Sequence, residues 1–132
     1  MVPDVEFLSP QNLPPTANYS HIAIVSAAAR TIYISGQVPL NADGSLVGKN
    51  DFEAQAIKVF ENMGAALKAA DADFNALVKI GLYLSDICEL PTLRRVRDEF
   101  ISTQNAPTST LVQVSAFFHP DILFEMDAIA VA

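Results

Sequence analysis

Hydrophobic and polar positions along this chain alternate between two periods, and the points where the period changes mark its elements. Short β-branched and aromatic runs from His21 to Val25 and from Thr31 to Val38 flank the small-residue link at 27 to 30, which predicts a pair of strands. Asn41, Ala42, Asp43 and Gly44 then supply turn chemistry, with Gly44 free to take positive φ. Beyond the turn, Phe52, Ala56, Phe60, Met63 and Leu67 recur at spacings of three and four, the stripe of an amphipathic helix. Asn50 is placed to cap that helix, with Glu53 three residues on. Between Val78 and Leu84 the period becomes two. Val78, Ile80, Leu82 and Leu84 take one face of this strand, and Lys79, Gly81 and Tyr83 the other. Pro91 suits the first turn of a second helix whose buried line is Leu93, Val96 and Phe100. At about 100° per residue, Arg95 points to solvent while Arg94 and Arg97 flank the apolar stripe. Strands follow at Thr110 to Val114 and at Leu123 to Val131, interrupted near Pro120.

The resulting order, ββαβαββ, predicts an α/β domain of the α+β kind, with two helices on one face of a sheet. Residues 1 to 17 carry Pro3, Pro10, Pro14 and Pro15 and read as an extended arm leading into a single domain from 18 to 132. The sheet has a second face, and the last strand puts Leu123, Glu125, Asp127 and Ile129 on it. Open solvent explains that mixture poorly, so another subunit is expected to cover it. Two carboxylates among apolar neighbours must find donors or pay a desolvation cost of several kcal/mol, which directs the search for a site to this strand. A wet sheet edge with ordinary acidic residues is the alternative.

Composition narrows the function classes. A chain of 132 residues fits one domain, and 51% hydrophobic against 17% charged residues is too apolar for disorder. No stretch comes near the ~20 apolar residues of a membrane helix. The apolar surplus fits either subunits that bury one another or a rich monomeric core. With 8 basic and 15 acidic residues the formal charge is -7, which repels phosphate backbones and anionic headgroups, so neither nucleic acid nor a membrane is an expected partner. Arg94, Arg95 and Arg97 are the local exception, and a solvated helix face accounts for them better than a phosphate track, which needs a wider basic stripe. The lone Cys88 forms no internal disulfide and reads as a free, partly buried thiol without a catalytic role. The amino terminus shows no secretory signal, so a reducing, cytoplasmic setting is expected. His21 and His119 stand far apart and form no metal-ligand cluster.

Four stretches give the chain a family likeness. Asn18-Tyr19-Ser20-His21 is similar to a Pro-Tyr-Ser-x opening. Residues 33 to 39, Tyr-Ile-Ser-Gly-Gln-Val-Pro, match a Ser-Gly-Gln-hydrophobic-Pro hallmark, and residues 124 to 130, Phe-Glu-Met-Asp-Ala-Ile-Ala, match a closing Val-Glu-hydrophobic-Glu-Ala-Ile-Ala. In this order, from about residue 18 to 131, they resemble the RidA/YjgF family, also called the L-PSP endoribonuclease or translation-inhibitor family. The resemblance implies a chorismate-mutase-like fold assembled as a homotrimer, with small-molecule clefts between subunits. In the family those clefts hydrolyse enamines and imines such as 2-aminoacrylate, releasing ammonia and a 2-oxo acid without metal or organic cofactor.

The fourth stretch departs from the pattern. Where active members of the family read Pro-x-Arg-Ser/Thr-x-Val-x-Val, residues 107 to 114 read Pro-Thr-Ser-Thr-Leu-Val-Gln-Val, and Ser109 stands in the arginine's place. That arginine grips the substrate carboxylate with a planar fork that serine lacks. Hydrogen bonds to charged groups contribute roughly 1.5–3 kcal/mol each, so losing a bidentate pair predicts a loss of about two to four powers of ten. The resemblance carries over Glu125 as the water-positioning catalytic acid, Tyr19 as wall and hydroxyl, and Ser35 as a strand residue lining the cleft. Leu111 stands where many relatives carry cysteine. Arg94 falls where an asparagine is frequent, and either restores a positive charge to the cleft or pairs with Asp98 at i+4. The functions that follow are a metabolite binder with weak or lost deaminase activity, and a working imine deaminase whose carboxylate contact comes from Arg94 or a neighbouring chain. A non-catalytic ligand sensor and an endoribonuclease are further alternatives, the last disfavoured by the charge of -7.

Overall fold

The computed structural model describes residues 4–16, 18–27 and 30–132. Its strands are β1 (Val5–Leu8), β2 (Ile22–Val25), β3 (Thr31–Gln37), β4 (Leu77–Leu84), β5 (Thr108–Gln113) and β6 (Phe124–Val131); its helices are α1 (Phe52–Ala69) and α2 (Leu90–Phe100). Short 3-10 turns at Phe74–Ala76 and Ile87–Glu89 lead into β4 and α2. The main sheet runs β3-β6-β4-β5, antiparallel except for β4 and β5, which are parallel and joined by the α2 crossover.

The order from Ile22 onward is the expected ββαβαββ. Two pairings differ. The segments expected to pair with each other separate: β2 pairs with β1 in a two-stranded sheet of its own, and β3 pairs with β6. The arm at 1 to 17 also contributes more than an extended lead-in, because Val5–Leu8 forms that β1 strand. Pro10 lies beyond the strand and not inside it, so no ladder hydrogen bond is lost to it.

The helices cover one sheet face because their stripes have nothing else to bury against. Phe52, Ala56, Val59, Phe60, Met63 and Leu67 of α1 meet Ile80, Leu82 and Leu84 of β4 and Phe124, Met126 and Ala128 of β6 in one core cluster. Phe60 stacks on Phe124 with ring centroids 6.0 Å apart and on Phe100 of α2 at 5.3 Å. Asp51, not Asn50, is the cap: its side chain accepts from the Ala54 N–H, while Asn50 takes the left-handed φ of 59° that turns the chain into the helix. Both residues are cap formers, and the one in extended backbone does the capping. No helix among the described residues is long and apolar enough to cross a membrane.

Candidate functional site

Strand alternation distributes the predicted site residues over both faces of the main sheet. Glu125 and Asp127 of β6 point away from the helices, since their neighbours Phe124, Met126 and Ala128 fill the core. Tyr83 lies opposite Glu125 in the β4 register, and its hydroxyl donates to Asp127 Oδ2 at 3.1 Å. Two glycines make room for these acids. A Cβ on Gly36 would strike the Glu125 carboxylate, and one on Gly81 would strike the Asp127 carboxylate and the Tyr83 hydroxyl. Burial, and then the charge of Asp127, push the Glu125 carboxyl above its ordinary value. Burial and the Asp127 contact likewise raise the Tyr83 hydroxyl.

Ser35 lies on this outer face too, in a cavity of about 310 Å³ with Tyr33, Lys79, Asp127 and Ile129. Large apolar groups surround the acids without cover: Tyr33, paired with Ile129, is 77% exposed, and Val112, paired with Tyr83, is 41% exposed.

Ser109 and Leu111 face the other way. In the β5 register they sit opposite Ile80 and Leu82, the core-facing residues of β4, and Leu111 packs against the core. The chain entering β2 brings Tyr19 to them. Ser20 forms a parallel bridge with Thr108, its N–H donates to Pro107 O at 3.1 Å, and its hydroxyl donates to Ala106 O. Tyr19, Ser109, Leu111 and Arg94 then line one pocket of about 280 Å³ against α2, together with Leu90 and Arg97. Within one chain the sheet therefore separates Glu125 and Ser35 from Tyr19, Arg94, Ser109 and Leu111.

Arg94 is exposed and, among the described residues, has no ion pair. The i+4 pair with Asp98 does not form, because Asp98 takes the Nε–H of Arg97 at 3.1 Å and the Asn18 amide at 3.3 Å. Arg97, expected to flank the stripe, is buried within it. The signal was present, since Arg97 follows Leu93 by four residues and so shares its face. Arg95 points to solvent as expected, paired with Glu53 at 2.7 Å. Cys88 is exposed and not partly buried, because it lies in the 3-10 turn before α2.

A family model described as endoribonuclease L-PSP matches residues 10–132. The human 2-iminobutanoate/2-iminopropanoate deaminase is 33% identical over 98 residues, covering 74% of this chain and 69% of that protein. A RutC family protein of Pyrococcus abyssi is 33% identical over 99 residues, 75% of this chain and 76% of the relative. Among solved structures, the Rid-family protein YyfB of Yersinia pestis superposes with a TM-score of 0.86 at 26% identity, covering 97% of this chain and 98% of that one.

Proposed function

The chain belongs to the RidA/YjgF family, and from that premise we propose that it is a cofactor-independent deaminase of small carboxylate-bearing imines, working in clefts built by neighbouring copies of a homotrimer. Water adds to the C=N carbon, its proton passes to the nitrogen, and cleavage of the C–N bond frees ammonia and leaves a 2-oxo acid. Glu125 is the group that holds and orients the water. Burial and the charge of Asp127 raise its carboxyl above the ordinary value, which favours its holding a proton that it can pass on. Tyr19, Ser35, Ser109 and Leu111 line the cleft.

The observation that carries this reading is the pocket that Arg94 and Ser109 both line. The arginine missing from β5 has a substitute on α2, so the substrate carboxylate keeps a cationic partner. A second copy is required because the Glu125 face and the Ser109 face lie on opposite sides of one sheet, and only a neighbour brings the two kinds together. The exposed Tyr33 and Val112 support such a neighbour, since they leave an apolar surface around the acids. Ser109 itself favours the second reading, a metabolite binder in which turnover is weak.

The test is release of ammonia and 2-oxo acid from dehydratase-generated 2-iminopropanoate, with light scattering on the same sample. Turnover that Arg94→Ala weakens through KM supports the deaminase. Turnover about a hundredfold or more below that of an arginine-bearing relative supports the binder. A stable monomer near 14.2 kDa overturns the two-copy site.

A further inference from the structure

The geometry points to Arg97 as the primary anchor of a small carboxylate in the pocket between α2 and β5, with Arg94 as its outer partner. This deepens the proposed deaminase reading and rests on it for the chemistry that follows binding, but not for the binding itself. The Arg97 side chain is only 6% exposed, yet it carries a permanent charge. Its Nε–H is engaged by Asp98 Oδ1 at 3.1 Å, whereas Nη2 is buried with no hydrogen-bond partner among the described residues. A buried guanidinium N–H left unpaired is costly and calls for a partner, which an anion bound at this pocket would supply.

Arg97 lines the 280 Å³ pocket that Tyr19, Ser109 and Leu111 also line. Asp98 does not fill that role, since it holds the guanidinium from the Nε side and is tied back by Asn18. The local charge is therefore one acid against two arginines, a net positive site in a chain whose total is -7. Such a site selects a small anion over its neutral isostere, because only the carboxylate makes the two-pronged, charge-assisted contact with a guanidinium edge. The small volume and the Leu90 and Leu111 walls favour a short aliphatic acid over a phosphate ester. The arginine that Ser109 replaces on the strand has in effect been moved to the helix facing it.

The experiment uses the full chain and compares pyruvate with its neutral amide by titration calorimetry, alongside 2-iminopropanoate turnover. Wild type should prefer the acid by roughly ten- to hundredfold, and Arg97→Met should erase the preference. Arg97→Lys, which keeps the charge without the fork, should restore only part of it. Arg97→Met is expected to fold, because Asp98 is 37% exposed and stays hydrated when its partner is removed. Ser109→Asp is the second arm: it sets a carboxylate in the pocket beside Arg97, and should abolish pyruvate binding while raising Tm. Unchanged acid preference in Arg97→Met or in Ser109→Asp overturns the anchor. If wild type turns over the imine and Arg97→Met keeps its KM, the anchor fails and the deaminase stands. If wild type binds pyruvate through Arg97 but releases no ammonia, the anchor stands and the deaminase fails.

Discussion

The carboxylate of Glu125 lies against the α-carbon of Gly36, close enough that no Cβ fits between them. Gly36 is thus the floor on which the Glu125 carboxylate rests, and the Ser-Gly-Gln motif gains a steric meaning. Gly36→Ala forces Glu125 to move, and because the group it strikes is the free end of a flexible side chain, the backbone need not follow. Deaminase turnover should fall by about tenfold or more, the scale of a misplaced general acid or base, while Tm stays within a few degrees. Unimpaired turnover in a folded Gly36→Ala variant would remove Glu125 from the mechanism.

Gln55 governs the approach to β6 from the opposite side. Fully buried in α1, it donates to Gly48 O at 3.1 Å and Asp121 O at 2.8 Å, and accepts from Leu123 N–H at 2.7 Å. These contacts fasten the segment that delivers Glu125. Gln55→Leu should cost about 3 kcal/mol, since the backbone groups it leaves lose their partners inside the fold. Denaturant unfolding measures it, and a loss under about 1 kcal/mol would mean that the segment is held by other contacts.

The elements were legible where one period ran long enough to be unambiguous: the α1 stripe, the alternation of β4, and the mixed outer face of β6. Pairing was not, because β2 and β3 carry no information about which edge each meets, and the separation of the two depends on β6 returning between β3 and β4. The strand Val5–Leu8 was hidden by prolines that bracket it. Glu125, Tyr19 and Ser109 were recognisable one by one from motifs. That they divide between sheet faces followed only from register, which sets Ser109 opposite Ile80. Arg97 was not legible as buried: its spacing from Leu93 puts it on the covered face, whereas a permanent charge is rarely buried unless paired.

Glu125 makes stability fall with pH. Its carboxyl is raised in the folded chain by burial and by Asp127, so the folded state holds a proton that the unfolded state has released across the interval from the ordinary carboxylate value to the raised one. Stability therefore declines as pH climbs through that interval and is flat beyond it. Glu125→Gln removes this contribution. The wild-type unfolding free energy minus that of Glu125→Gln should become less favourable to wild type as pH climbs above the ordinary carboxylate value of about 4; a difference that does not vary with pH contradicts the shift.

Cys88 should be a sluggish nucleophile despite its exposure. Its thiol is raised first by its hydrogen bond to the Asp86 side chain and then by that residue's charge, so little thiolate exists near neutrality. Asp86→Asn keeps an oxygen able to accept from the Cys88 N–H, now 2.9 Å from Asp86 Oδ1, and so preserves the turn while removing the charge. Iodoacetamide labelling at neutral pH should be faster in Asp86→Asn than in wild type. Equal rates would exclude Asp86 as the cause.

Ser109→Arg distinguishes a missing anchor from a relocated one. If the pocket simply lacks its arginine, restoring one on β5 should raise imine turnover toward that of an arginine-bearing relative. The side chain would, however, enter a pocket of about 280 Å³ that Arg94 and the buried Arg97 already line. Asp98 is the acid that already pairs with Arg97 there. A third guanidinium meets like charges at short range and exceeds the space left by a serine, and overpacking alone costs about 1–3 kcal/mol. Ser109→Arg should therefore lower Tm and reduce turnover, and combining it with Arg97→Met, which vacates both the charge and the volume, should recover stability and carboxylate-dependent turnover together. A gain in activity from Ser109→Arg alone would show that the α2 arginines do not carry the carboxylate.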